Sequence, residues 1–271
     1  PILSSKFNTR DHRKICVIDG NVGFTGGVNL ADEYINAYEK HGHWKDTAII
    51  LKGEAVFSLT AMFLSMWDYL SGMEEDYSKY YPTEWDPDAQ GFVQPFTDNP
   101  LDDEAVGETV YLNLINKAKR YVYITTPYLI LDSEMTTALS VAAKNGVDVR
   151  IITPHVPDKW YVHAVSRAYY EMLVEAGVKI FEYTPGFVHA KTFVVDDEYA
   201  VVGTINLDYR SLYLHFEDGV WIYRNQVIYD IKKDFTDTLE YCNPVSLEFC
   251  RGRNIAVRAM QSILRLFAPM L

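Results

Sequence analysis

HRKICVIDGNVGFTGGVN, residues 12–29, and HAKTFVVDDEYAVVGTIN, residues 189–206, are two copies of one pattern. His12, Lys14, Asp19, Gly26 and Asn29 recur as His189, Lys191, Asp196, Gly203 and Asn206, each pair 177 positions apart. A single H-x-K carries little information, but five polar or glycine positions kept in register without a gap mark an internal duplication. Each copy predicts a strand (14–18; 191–195), a tight turn (Asp19-Gly20-Asn21; Asp196-Asp197-Glu198), a second strand, and a glycine-led turn into a helix.

Outward from the second copy, hydrophobic periodicity predicts helix 104–118, strand 121–126, helix 132–144, strand 147–152, helix 159–176 and strand 178–182. Gly146 and Gly177 suit the ends of the two preceding helices. The alternation reads as an α/β fold of two pseudo-symmetric halves, each a mostly parallel sheet covered by helices. The stretch between the halves carries Pro82, Pro87, Pro95 and Pro100, and residues 71–104 hold ten carboxylates against Lys79 alone. The expected division is 1–71 for the first half, 72–103 for an acidic, aromatic connection, 104–253 for the second half, and 254–271 for a C-terminal amphipathic helix. His189 follows 84 residues of its own half and His12 only 11, and the chain starts with Pro1, so the first half is expected to lack upstream elements.

Composition narrows the classes. With 271 residues, 48% hydrophobic and 23% charged, the chain is globular, not disordered. Cys16, Cys242 and Cys250 form no C-x-x-C pair, against both a disulfide framework and a structural zinc site, and Cys16 reads as a small buried packing residue. No apolar run is long enough to span a bilayer. Most of the net charge of −12 belongs to the connection, so it does not exclude an anionic substrate. The remainder has no Lys/Arg cluster of the kind a nucleic-acid backbone requires, and no nucleic acid is expected as partner.

Period-two alternation puts the histidine and lysine of each H-x-K on one face of a strand. Two such strands brought together would converge two imidazoles, able to divide nucleophile and acid roles, and two ammoniums to meet a phosphoryl group. Gly26, Gly27 and Asn29, with Gly203, Thr204 and Asn206, are candidate donors to phosphate oxygens from backbone N–H groups and amides. The constellation calls for no metal and no cofactor.

The duplicated H-x-K-x4-D-x6-G-x-x-N pattern resembles the signature of the phospholipase D superfamily. Residues 26–34, Thr126-Pro127-Tyr128 and 206–211 are similar to bacterial cardiolipin synthases in particular. The resemblance implies that one motif histidine attacks phosphorus while the other serves as acid and then base, with His12 as the usual nucleophile. It implies catalytic roles for His12, Lys14, His189 and Lys191, carboxylates orienting the imidazoles with Asp46 and Glu217 as candidates, and structural roles for Asp19 and Asp196. The implied reaction condenses two phosphatidylglycerol molecules to cardiolipin and glycerol through a phosphatidyl-histidine, on the cytoplasmic side of a bacterial cell membrane. The alternative is a phosphodiesterase or nuclease using the same two histidines. His215 stands where many such synthases have Asn, so a third imidazole is expected near the second motif.

Three other features have plainer readings. His41 and His43 suit a polar loop more than a metal site. Asp158 reads equally as a helix N-cap or a substrate contact. The 254–271 helix has a basic polar face and an apolar one, suited to an anionic membrane surface or to packing on the protein.

Overall fold

The computed structural model describes residues 9–268. In the first half run β1 (Arg10–Asp11), β2 (Cys16–Ile18), β3 (Val22–Gly26), β4 (His43–Lys45), β5 (Ala48–Lys52) and α1 (Ala55–Ser71). After them come β6 (Phe92–Asp98), α2 (Val106–Lys117), β7 (Tyr121–Thr125), α3 (Ser133–Lys144), β8 (Asp148–Pro154), α4 (Trp160–Glu175) and β9 (Lys179–Tyr183). The second motif follows in β10 (Gly186–Val188), β11 (Thr192–Val195), β12 (Tyr199–Gly203), α5 (Tyr209–Tyr213) and β13 (His215–Tyr223). The chain closes with α6 (Val227–Leu239), β14 (Cys242–Pro244), α7 (Leu247–Arg251) and α8 (Ile255–Arg265).

The β-α-β alternation produces the parallel run β7-β8-β9 in the main sheet, with α3 and α4 as the crossover connections. Antiparallel strands flank it, with β11, β12, β13 and β6 on one side and β14 on the other. Both faces are buried, which explains the near-continuous apolar strands. On β7, Val122 and Ile124 point into a core shared with α2, α3 and α4, while Tyr121 and Tyr123 point into a second core. That second core also takes Ile49 and Leu51 of β5, Val56 and Leu59 of α1, and Phe235 of α6, so the first half packs against the free face of the second.

The duplication is visible in the backbone. Asp19 and Gly20 have φ of 53° and 69°, and their counterparts Asp196 and Asp197 have 56° and 60°, the left-handed pair of a tight hairpin turn. Asp196 is buried and accepts from the backbone N–H groups of Lys119, Arg120 and Tyr121 at 2.7–2.9 Å, tying the turn to the start of β7. Asp19 is exposed.

Some expectations need correction. The connection across 72–103, for which no strand was expected, ends in β6, paired antiparallel along β13 from Asp98 opposite Glu217 to Phe92 opposite Tyr223. Pro95 is tolerated there because β13 is its only partner among the described residues, leaving the other side free of a ladder. Cys16 is exposed, not a buried packing residue, since β2 pairs only with β3 and its outer edge is open among the described residues. The helix expected over 254–271 runs from Ile255 to Arg265, and residues 269–271 lie outside the described residues.

Candidate active site

Neither H-x-K lies within a strand as expected. His12 and Lys14 occupy the break between β1 and β2, and His189 and Lys191 the break between β10 and β11. At each break the chain changes partner. β1 pairs in parallel with β13 and β10 with β4, whereas β2 and β11 join their own half's sheet. The segment leading into each histidine therefore lies beside the carboxylate-bearing strand of the opposite half. The backbone repeats this symmetrically, with the His12 N–H donating to the Phe216 carbonyl at 2.9 Å and the His189 N–H to the Lys45 carbonyl at 2.7 Å.

Because of that exchange the two carboxylates cross over. Glu217 receives His12 Nδ1 at 2.8 Å, and Asp46 receives His189 Nδ1 at 2.8 Å. A proton on each Nδ1 directed at a carboxylate leaves Nε2 free for chemistry, the tautomer a nucleophile or a base requires. Burial alone would push Glu217 up, but the His12 and His215 imidazoles and the Thr204 hydroxyl beside it more than offset this and bring its carboxyl to about 2. Burial opposes ionisation of Asp46 as well, and the His189 and Lys191 partners outweigh it, so its carboxyl also lies below the usual range. Burial, joined by the Lys191 ammonium, pulls His189 down to about 4 against the pull of Asp46.

Both imidazoles line one cavity of 290 Å³, together with Asn29 and Asn206. The cavity is biased positive, with Arg10, Lys159 and Arg210 in its wall against Asp158 and Asp208. Tyr34 and Trp44 pack on the His189 ring at centroid distances of 5.3 Å, narrowing that side with aromatic surface.

Other expected donors do not reach this cavity. Lys14 turns back to its own motif's His12 carbonyl at 2.7 Å, and Lys191 bonds the His189 carbonyl. Both lie beneath the wall; burial lowers Lys14 and brings Lys191 to about 7. Gly26, Gly27, Gly203 and Thr204 do not offer backbone N–H groups to a phosphate. Gly27 donates to Thr47 O and Thr204 to Asp218 O at 2.9 Å, Gly203 donates to Lys191 O, and Gly26 is paired along β5. Their small size serves packing instead. A Cβ on Gly27 would fall on Asp46 Oδ1 and the His189 carbonyl, so only glycine lets that carboxylate reach its histidine. At the matching position, Thr204 spends its hydroxyl on Glu217.

Asp158 is not the cap of α4, whose N-cap is Lys159; its carboxylate accepts from the Tyr128 hydroxyl at 2.5 Å and faces the cavity. His43 bonds the Tyr183 hydroxyl at 2.9 Å, away from the site. His215 does lie close, its ring 5.8 Å from that of His12. Sequence reasoning missed Arg10 and Phe187, both of which line the cavity. They occupy the same position two residues before each histidine, so the duplication itself was the signal.

Residues 111–239 match the family model described as cardiolipin synthase, PLD-like domain. The whole chain aligns with a Streptococcus mutans protein of unassigned function at 51% identity, covering 59% of that protein. It also aligns over its whole length with cardiolipin synthases of Geobacillus kaustophilus and Halalkalibacterium halodurans, at 40% and 39% identity and 54% of each relative's length. The chain thus spans about half the length of the curated relatives it matches. Phosphatidylserine synthase of Haemophilus influenzae shares the fold, with a TM-score of 0.74 at 16% identity, over all of this chain and 73% of that one. Fold, duplicated motif and relatives make the chain similar to proteins of the phospholipase D superfamily. Among these, it is similar to the cardiolipin synthases.

Proposed function

We propose that the protein is a phosphatidyltransferase that condenses two phosphatidylglycerol molecules to cardiolipin and glycerol. The observation that carries this is the pair of imidazoles in one positively biased cavity, each held on a buried carboxylate from the opposite half. In this reading His12 Nε2 attacks phosphorus and the P–O bond to glycerol breaks, the departing oxygen taking its proton from His189. His189 then removes the proton from the primary hydroxyl of a second phosphatidylglycerol, which attacks the phosphatidyl-histidine and frees His12. Before substrate arrives His189 is neutral; the phosphodiester's negative charge favours its imidazolium, and the proton is taken up from solvent. Lys14 holds the His12 carbonyl, and Lys191 holds the His189 carbonyl with its ammonium 2.9 Å from His189 Nδ1. The aromatic wall of Tyr34, Trp44 and Phe187 favours an alcohol over water at the intermediate.

The test is mass spectrometry of products from phosphatidylglycerol in mixed micelles containing EDTA. Cardiolipin with free glycerol is the expected result. Phosphatidic acid in their place would make the protein a hydrolase, and cleavage of nucleic acid without lipid products would make it a nuclease.

A membrane surface is the partner this reading requires, and α8 supports it. No helix of the described residues is long and apolar enough to cross a bilayer. On α8 and the turn that follows it the inward side holds Gln261, Leu264 and Ala268, whereas Met260, Ile263, Leu266 and Phe267 are exposed. Residues 251–271 contain four arginines and no Asp or Glu, in a chain of net charge −12. An outward apolar row in a segment of basic composition suits an anionic lipid interface. Ile263→Asp combined with Phe267→Asp is expected to weaken cosedimentation with phosphatidylglycerol vesicles by about tenfold or more, since each change removes a side chain worth about 1.5–3 kcal/mol on burial. Unchanged cosedimentation would move the contact elsewhere.

A further inference from the structure

His215 has no task in the reaction above, yet it sits in the wall of the cavity beside His12. Its side chain is 12% exposed, and both ring nitrogens are buried without a hydrogen-bond partner. A buried imidazole with neither nitrogen satisfied calls for a ligand that accepts a lone pair. Glu217 lies between the two rings. Its Oε1 is 3.0 Å from His12 Nδ1 and 3.6 Å from His215 Nδ1. One nitrogen of each ring and a Glu217 oxygen all lie within 4.8 Å of one another.

Two imidazoles and a carboxylate form a donor set suited to a borderline divalent ion such as Zn²⁺, which takes nitrogen and oxygen donors at about 2.0–2.2 Å. Tetrahedral geometry at those lengths spaces neighbouring donors about 3.3 Å apart, a value the two measured separations bracket. A second feature points to the same ligand class. On the other side of His215 a separate cleft of 190 Å³ is walled by Asp98, Asp102, Asp103 and Glu104. Carboxylates on that side concentrate cations. Arg10 and Arg210 line the substrate side, so a cation has an electrostatic reason to enter from the acidic side.

We infer that His12, His215 and Glu217 form an inhibitory binding site for a divalent transition-metal ion of the zinc class, entered through the acidic cleft. An ion on His12 takes the Nδ1 lone pair, and the ring's single proton then resides on Nε2. No bond to phosphorus can form from that nitrogen until the metal leaves. Glu217 changes from hydrogen-bond acceptor to ligand, and no redox step is involved. The site shares His12 and Glu217 with the transfer chemistry, which is written without a metal; only the inhibitory consequence rests on the proposed function.

The test is competition between the chain, stripped with EDTA, and a chromophoric chelator for Zn²⁺, comparing wild type with His215→Asn and with His43→Ala as a control. Loss of even a supporting group around a metal typically costs about 10–100-fold in affinity, so loss of a ligand should cost about 100-fold or more. The expected result is one Zn²⁺ per chain, weakened by that factor in His215→Asn and unaltered in His43→Ala. Equal affinity in His215→Asn would overturn the inference. Should that variant fail to fold, X-ray absorption of zinc-loaded wild type decides, two imidazole nitrogens in the shell supporting the site and their absence overturning it. Binding is read without turnover, so a protein that binds zinc here but transfers no lipid would contradict only the proposed function. In an active protein, zinc should stop turnover, with EDTA restoring it.

Discussion

His12→Ala and His189→Ala are each expected to lower turnover of phosphatidylglycerol by about 10⁴-fold or more, and the double variant to be little worse than either. In the proposed reaction the two groups act in one sequence of bond changes, so losing either leaves the other without a step to complete. A donor whose leaving group departs without a proton separates the roles. With a nitrophenyl phosphodiester, His189→Ala should still release one equivalent of nitrophenol per chain, because His12 needs no acid for that departure. His12→Ala should release none. The reverse pattern would exchange the roles, a concrete alternative given that burial and Lys191 hold His189 neutral at about 4. Circular dichroism of both variants checks that the loss is chemical.

The crossed carboxylates give the second large effect. Glu217→Gln should cost about 10²–10⁴-fold in turnover by offering His12 Nδ1 an amide that no longer holds its tautomer or charge. Asp46→Asn should do the same to His189, and each change leaves its own half's histidine with its carboxylate intact. In the nitrophenyl assay Glu217→Gln therefore suppresses the first release, whereas Asp46→Asn spares it. If each carboxylate instead impaired the histidine of its own half, the crossed arrangement would be wrong. Stability adds an independent reading. Glu217 lies at about 2 in the folded protein against an ordinary 4.5. Its ionised form thus contributes about 3 kcal/mol above pH 4.5, and the contribution is lost as pH falls towards 2. The stability gap between wild type and Glu217→Gln should narrow over that window in urea melts.

The duplication made both histidines readable, because local pattern and constant offset survive in a single sequence, whereas the carboxylates Asp46 and Glu217 do not share that offset and were candidates only through the family resemblance. The crossing was not readable. It depends on β1 beside β13 and β10 beside β4, partners far apart in the chain whose pairing no local periodicity encodes. For the same reason the lysines looked like phosphate ligands. Alternation places Lys14 on the face of His12 only if the strand is continuous, and the strand breaks there. The backbone N–H groups after Gly26 and Gly203 read as free because a sequence does not show which carbonyl across the sheet has already taken them. β6 was hidden by Pro95 and the carboxylates around it, features tolerated where a strand is paired along one side only among the described residues.

The exchange of strand partners also sets the smallest unit that can work. A half taken alone keeps its histidine but leaves the matching carboxylate on the other half, together with the carbonyl that fixes the histidine's backbone. One copy of the repeat could complete a site only by meeting a second copy face to face, with each lending a strand to the other. Joining the copies in one chain fixes that meeting at one-to-one and lets the two imidazoles diverge, as His189 has in its burial and His12 in gaining His215 as a neighbour. Symmetry thus supplied the paired machinery, and covalent linkage freed each side to specialise.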